Sequence, residues 1–146
     1  MFRRFRKSSA RETPAPRTSR PDLVLGTISP KEGPTEWFAE VRVDSDVVFF
    51  VIAGTAEPCP ARVSHARDIV QSISKFREQL NIFLEAEARR LAPWAQEIAQ
   101  LKLESINLWW PARPNDGMIF FNGPDEFRVW RCDYIARMPV GLGFDD

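Results

Sequence analysis

An α+β fold is predicted by three patterns: alternating strands in the first third of the chain, a long helical stripe in the middle, and short strands separated by turn residues at the end. The expected architecture is one antiparallel sheet of about six strands, ordered β-β-β-α-α-β-β-β, with one long helix packed across one face. Leu23-Val24-Leu25-Gly26-Thr27-Ile28 is apolar and β-branched and ends at Ser29-Pro30, which predicts a short first strand. Lys31-Glu32-Gly33-Pro34-Thr35 is a turn. Trp37, Ala39, Val41 and Val43 then alternate with Phe38, Glu40, Arg42 and Asp44, the pattern of a half-buried strand. Asp44-Ser45-Asp46 reverses the chain, and Val47 to Ala53 forms a third strand apolar on both faces.

Pro58 and Pro60 close this sheet segment. Beyond them Ala66, Ile69, Ile73, Phe76, Leu80, Phe83, Leu84, Ala88 and Leu91 recur at spacings of three and four, which predicts one amphipathic helix over residues 62–91. Ser64 or Cys59 caps its start, and Arg89-Arg90 complement the negative end of its dipole. Pro93 suits the first position of a short second helix with Trp94, Ile98 and Leu101 on its buried face. Leu103 to Trp110 alternates again, with Ile106, Leu108 and Trp110 inward. Asp116-Gly117 favours a hairpin, Met118 to Phe121 is a short strand, and Phe127 to Arg137 is the last one, with a bulge expected near Val129-Trp130. Met138 to Asp146 is read as an irregular closure over one end of the sheet.

The 146 residues carry 20 basic and 20 acidic side chains. That balance conceals a division: residues 1–20 hold seven basic groups against Glu12 alone, a net of +6, and the rest is therefore at −6. Residues 1–21 are expected to be a disordered basic arm, too rich in Ser, Thr and Pro to bury surface that offsets the entropy of ordering. Residues 22–146 are expected to form a single domain. The arm lacks the apolar stretch of a secretory signal, and the longest apolar run, Val47 to Ala53, is far short of a bilayer span. With Cys59 and Cys132 read as reduced thiols, a cytoplasmic protein is expected.

Leu25-Gly26, Trp37-Phe38, the long helix, Leu103-Glu104-Ser105-Ile106, and Asp125-Glu126-Phe127 with Trp130 together resemble an uncharacterised bacterial family known only as a domain of unknown function. The likeness covers residues 23–135 and implies the same fold without implying a reaction. That family's Gly-His after the aromatic pair is absent here, and Trp130 is followed by Arg131-Cys132, so a function resting on that histidine lacks its residue.

No residue grouping names a chemistry. The seven glycines form neither a G-x-G-x-x-G nor a G-x-x-x-x-G-K-[ST] loop, which excludes nucleotide use through those folds. An acidic body repels the phosphates of DNA, so no specific nucleic-acid partner is expected. His65, the only histidine, is read as an exposed residue at the helix start, and no catalytic, cofactor-binding or metal-ligating residue is assigned. The informative cluster is aromatic: Trp109, Trp110, Phe120, Phe121, Phe127, Trp130 and Tyr134 lie on neighbouring strands, so about half must point away from the helix. Trp109 is expected outward with Asn107, joined by one of Phe120 and Phe121.

The leading expectation is a non-enzymatic protein-binding module, immunity-like or adaptor-like, that uses Trp109, Phe121, Arg128, Trp130 and Arg131. A small-ligand protein or enzyme with a pocket between helix and sheet is one alternative. The other is a tether in which Arg3, Arg4, Arg6 and Lys7 rest on anionic membrane or nucleic acid.

Overall fold

The computed structural model describes residues 16–110 and 112–146, so Arg3, Arg4, Arg6 and Lys7 and the tether they were expected to form lie outside the described residues. Among the described residues eight strands form one sheet in sequence order: β1 (Arg20–Asp22), β2 (Gly26–Pro30), β3 (Glu36–Val43), β4 (Asp46–Ala53), β5 (Lys102–Leu108), β6 (Gly117–Asn122), β7 (Val129–Ile135) and β8 (Met138–Asp145). Between β4 and β5 come α1 (Pro60–Gln71), α2 (Ile73–Arg90), a 3-10 turn (Ala92–Trp94) and the short α3 (Ala95–Ile98). The class is α+β, but the expected six-stranded antiparallel sheet under one long helix is overturned in three respects.

First, β4 and β5 pair in parallel, with Phe50 beside Ile106 and Ile52 beside Leu108. The long helical connection carries the chain back to the end of the sheet from which β4 started, and a strand that re-enters there runs the same way. Second, the helical stripe is broken at Ser72, where φ is −114° and ψ is 30°. The Ser72 hydroxyl donates to the Asp68 carbonyl at 2.9 Å, in competition with the helical ladder. The apolar period runs through the break, which is why periodicity alone does not reveal it. Third, two hairpins sit where one strand was expected at each end of the chain. Asp22 Oδ1 accepts the N–H groups of Val24 and Leu25, so Leu23 to Leu25 turns between β1 and β2 despite its β-prone composition. Ala136 and Arg137 adopt φ of 50° and 64° and turn β7 into β8, making a strand of what was read as an irregular closure. Neither residue advertises that conformation. It is held from outside: the Ala136 N–H donates to Asp116 and the Arg137 N–H to the Asn115 carbonyl.

The register shifts fall at Leu103/Ser105 and Arg131/Asp133, the second of them two residues beyond the bulge expected near Val129-Trp130. At the other end, β1 begins at Arg20, inside the expected arm, and Arg17 donates to the carbonyls of Lys31, Gly33 and Glu36. Among the described residues no helix is long and apolar enough to cross a membrane.

The core lies between the helices and one face of the sheet. Trp37, Phe50, Ile52, Ile106, Leu108, Ile119, Phe121 and Trp130 point inward against Val63, Ala66, Ile69, Phe76, Leu80 and Ile98. Two ion pairs fasten the ends of this layer. Arg67 on α1 grips Asp22, whose side chain is 2% exposed. On α2, Glu87 accepts the Leu142 N–H while its ion-pair partner Arg90 donates to the Leu142 carbonyl, so the backbone of the edge strand β8 is occupied at mid-length.

These clasps give stability a definite acid dependence. The arginine hydrogen bond is the main force that holds each carboxyl below its ordinary value, Arg67 for Asp22 and Arg90 for Glu87. The folded state therefore favours the anions. The stabilisation is complete above the unfolded-chain carboxyl values of about 4 and is lost as pH falls through the lower folded-state values. Because both arginines are half exposed, solvent screening keeps the contribution of each clasp small. Asp22→Asn and Glu87→Gln are expected to flatten the fall in urea midpoint between about pH 5 and 2, relative to the unsubstituted protein.

Candidate functional site

Alternation in an antiparallel strand sends neighbours to opposite faces, and among the described residues every helix lies on one side, which leaves the other face of the sheet without a helix over it. On that face Glu36, Phe38, Glu40 and Arg42 of β3 stand beside Phe49 and Val51 of β4, with Phe38 opposite Val51 and Glu40 opposite Phe49. Ser105 and Asn107 of β5 follow, then Met118 and Phe120 of β6 and Arg131 and Asp133 of β7. Trp109, just past β5, meets Phe120 edge-on at 6.1 Å between ring centroids. A shallow depression of about 330 Å³ lies among Phe38, Phe49, Val51, Asn107 and Phe120, with Lys31 and Glu104 beside it. Among the described residues Asn107 Oδ1 is buried there without a hydrogen-bond partner, and so is the indole N–H of Trp109 nearby. Phe49 keeps 38% of its surface exposed, and Val129, Ile135 and Val140 extend the apolar area toward β8.

The five residues expected to contact a partner are divided by the sheet. Trp109 and Arg131 belong to the open side, where Arg131 is paired with Asp145. Phe121 and Trp130 face each other across β6 and β7 on the helix side and are buried in the core. The outward member of the Phe120-Phe121 pair is Phe120. Arg128 is consumed by the fold: it pairs with Glu97 at 2.7 Å, Asp146 at 2.7 Å and Asp125 at 3.7 Å, and lies over the rings of Trp94 and Phe144. Glu97 also accepts the Trp130 indole N–H at 2.8 Å. These side chains lock α3 to β7 and the C-terminus. Phe38 and Phe49 were not assigned, although the alternation of β3 and the doubly apolar reading of β4 both carry them to the outer face.

A second concave surface lies on the helix side. The break between α1 and α2 and the β7–β8 hairpin enclose a groove of about 820 Å³, lined by Ile69, Phe76, Phe83, Ala86 and Pro139 around His65 and Tyr134. His65 is 1% exposed, which corrects the expected surface position: α1 begins at Pro60, and this places His65 on its sheet-facing side with Arg62, Ala66 and Ile69. Its ring stacks on Tyr134 with centroids 5.6 Å apart. Nδ1 lies 3.0 Å from the Pro114 carbonyl, which can only accept, so Nδ1 carries the proton and Nε2 is an acceptor. Burial, then the charge of Arg137, lowers the His65 pKa, and burial pushes the Tyr134 phenol up to about 12.

The two thiols are free. Cys59 precedes the first turn of α1, and Cys132 is buried in β7, its pKa pushed up to about 12 by burial. Among the described residues no three His, Cys, Asp or Glu side chains are grouped to hold a metal ion. Compared with family models, curated proteins and solved structures, the chain matches none at a significant level.

Proposed function

We propose that this protein is a binding module that docks another protein on the open face of its sheet. The observation that carries the reading is the aromatic centre of that face: Phe38, Phe49 and Phe120, with Trp109 at the border, stand on the side that no helix of the described residues covers. Large aromatic side chains around a desolvated centre are the usual anchors of protein interfaces. Glu36, Glu40 and Glu104 edge this centre, and residues 21–146 carry a net charge of −6, so a basic partner surface fits. Kinship with the bacterial family of unknown function is part of the same proposal. Leu25, Trp37, Ile106 and Trp130 carry much of that likeness and are core residues, so it bears on the fold and not on what is bound.

A photo-reactive phenylalanine analogue placed at Phe49 tests the reading, with the same analogue at Ile82 on α2 as a control. The expected result in the source cells is one polypeptide cross-linked from position 49 and not from position 82. Phe120→Glu should abolish that cross-link at a folding cost of about 1 kcal/mol, since its ring is only partly buried. Cross-links to copies of the same chain alone, or equal capture from both positions, would refute docking of a different protein on this face.

A further inference from the structure

The groove beside the α1–α2 break is separate from the open face, and its chemistry does not depend on what docks there. Its volume of about 820 Å³ lies within the range of roughly 300–1,000 Å³ in which small-molecule pockets fall. The walls are mostly apolar, and Ile82 and Met138 stand exposed at the mouth. Among the described residues, one buried group in the groove's lining remains to be satisfied. His65 is held by its Nδ1–H to the Pro114 carbonyl and by stacking on Tyr134, and its buried Nε2 has no hydrogen-bond partner among the described residues. A buried acceptor left unpaired costs about 1–3 kcal/mol, so a ligand that supplies a donor there gains more than its apolar contact.

The nearby charges say what kind of donor fits. Two cations, Arg137 and Arg62, act on His65: Arg62 is buried in the interior and does not line the groove, and Arg137 is already engaged by Asp68 at 3.3 Å and by Asn115 Oδ1 at 3.0 Å. Asp68 is thereby neutralised as well. Lys75 and Glu78 bring one charge of each sign to the rim, so the groove has no net demand for an ion. We propose that it binds a neutral, largely apolar ring-containing small molecule that carries a hydroxyl or N–H donor and places it on Nε2 of His65.

Two probes of nearly equal shape isolate the donor: 2-naphthol, and 2-methoxynaphthalene, whose oxygen accepts but cannot donate. Both are titrated into the full chain and followed by the side-chain resonances of Ile69, Ala86 and Met138 and by the 15N signal of His65 Nε2. The expected result is binding of both at the groove, with 2-naphthol favoured ten-fold or more and alone moving the Nε2 signal. Ala86→Trp, an exposed position on the wall, should fill the groove and remove both, and His65→Phe should erase the preference while the ether still binds. Failure of 2-naphthol to bind, a preference below ten-fold, an unmoved Nε2 signal, or binding that survives Ala86→Trp would overturn the proposal. If His65→Phe does not fold, the probe comparison and Ala86→Trp decide it alone.

Discussion

Glu97→Ala lowers the unfolding free energy by about 2–4 kcal/mol, although Glu97 sits on a helix of four residues at the rim of the core. Its carboxylate is 15% exposed and takes two donors, Arg128 at 2.7 Å and the Trp130 indole N–H at 2.8 Å. Alanine removes both bonds. The guanidinium then keeps Asp146 and Asp125 and its place over Trp94 and Phe144, but the indole N–H of a fully buried ring has nothing to replace Glu97. Glu97→Gln should recover part of the loss, because an amide oxygen still accepts one of the two bonds. Urea unfolding monitored by tryptophan fluorescence measures the change. Arg128→Ala should lower the same midpoint, and the double substitution should cost less than the two single ones combined. A loss below about 1 kcal/mol for Glu97→Ala would remove this node from the account of the fold. Partner loss on mutating Arg128 would therefore report damage to the scaffold, and a test of the open face has to use Phe49, Phe120 or Trp109.

What the sequence makes legible is what periodicity measures. Trp37, Ala39, Val41 and Val43 are buried as their alternation requires, and Ile106 and Leu108 face the helices as expected. Features set by a single polar atom or by a distant segment were hidden. Asp22 turns an apolar stretch into a hairpin through two hydrogen bonds, and Asn115 and Asp116 impose positive φ on Ala136 and Arg137 from twenty or more residues away. Strand direction was hidden too, since the register of β4 with β5 depends on where a long helical connection returns. For the candidate sites the limit is parity. A pair such as Phe120-Phe121 must place one ring on each face, but only the strand's phase says which. The bulge at Leu103/Ser105 shifts that phase on β5, while β7 stays in continuous register with β6 and the irregularity at Arg131/Asp133 falls on its other side, against β8. Trp130 and Arg128 were assigned to the surface on composition, and the aromatic and arginine content that marks an interface also marks a core closed by an ion pair.

Trp130→Ala separates those two meanings and carries the largest effect expected in this protein, a loss of about 3–5 kcal/mol. The ring is fully buried, opposite Phe121 on β6 and Phe144 on β8, and touches Trp94 and Phe144 at centroid distances of 6.3 and 4.8 Å. Removing it opens a cavity between the sheet and the last helical turn, where α3 is too short to collapse inward without giving up Ile98. Trp130→Phe dissects the loss. It keeps most of the apolar contact and discards only the N–H to Glu97, so it should cost about 1–2 kcal/mol and should cost less in a Glu97→Gln background, where the abandoned acceptor is uncharged. An interface residue behaves otherwise: its truncation leaves the urea midpoint in place and changes only association. If Trp130→Ala shifted the midpoint by less than about 1 kcal/mol while abolishing a complex, the ring would have to lie at a binding surface, and the division of the aromatic cluster into a buried half and an open half would fail.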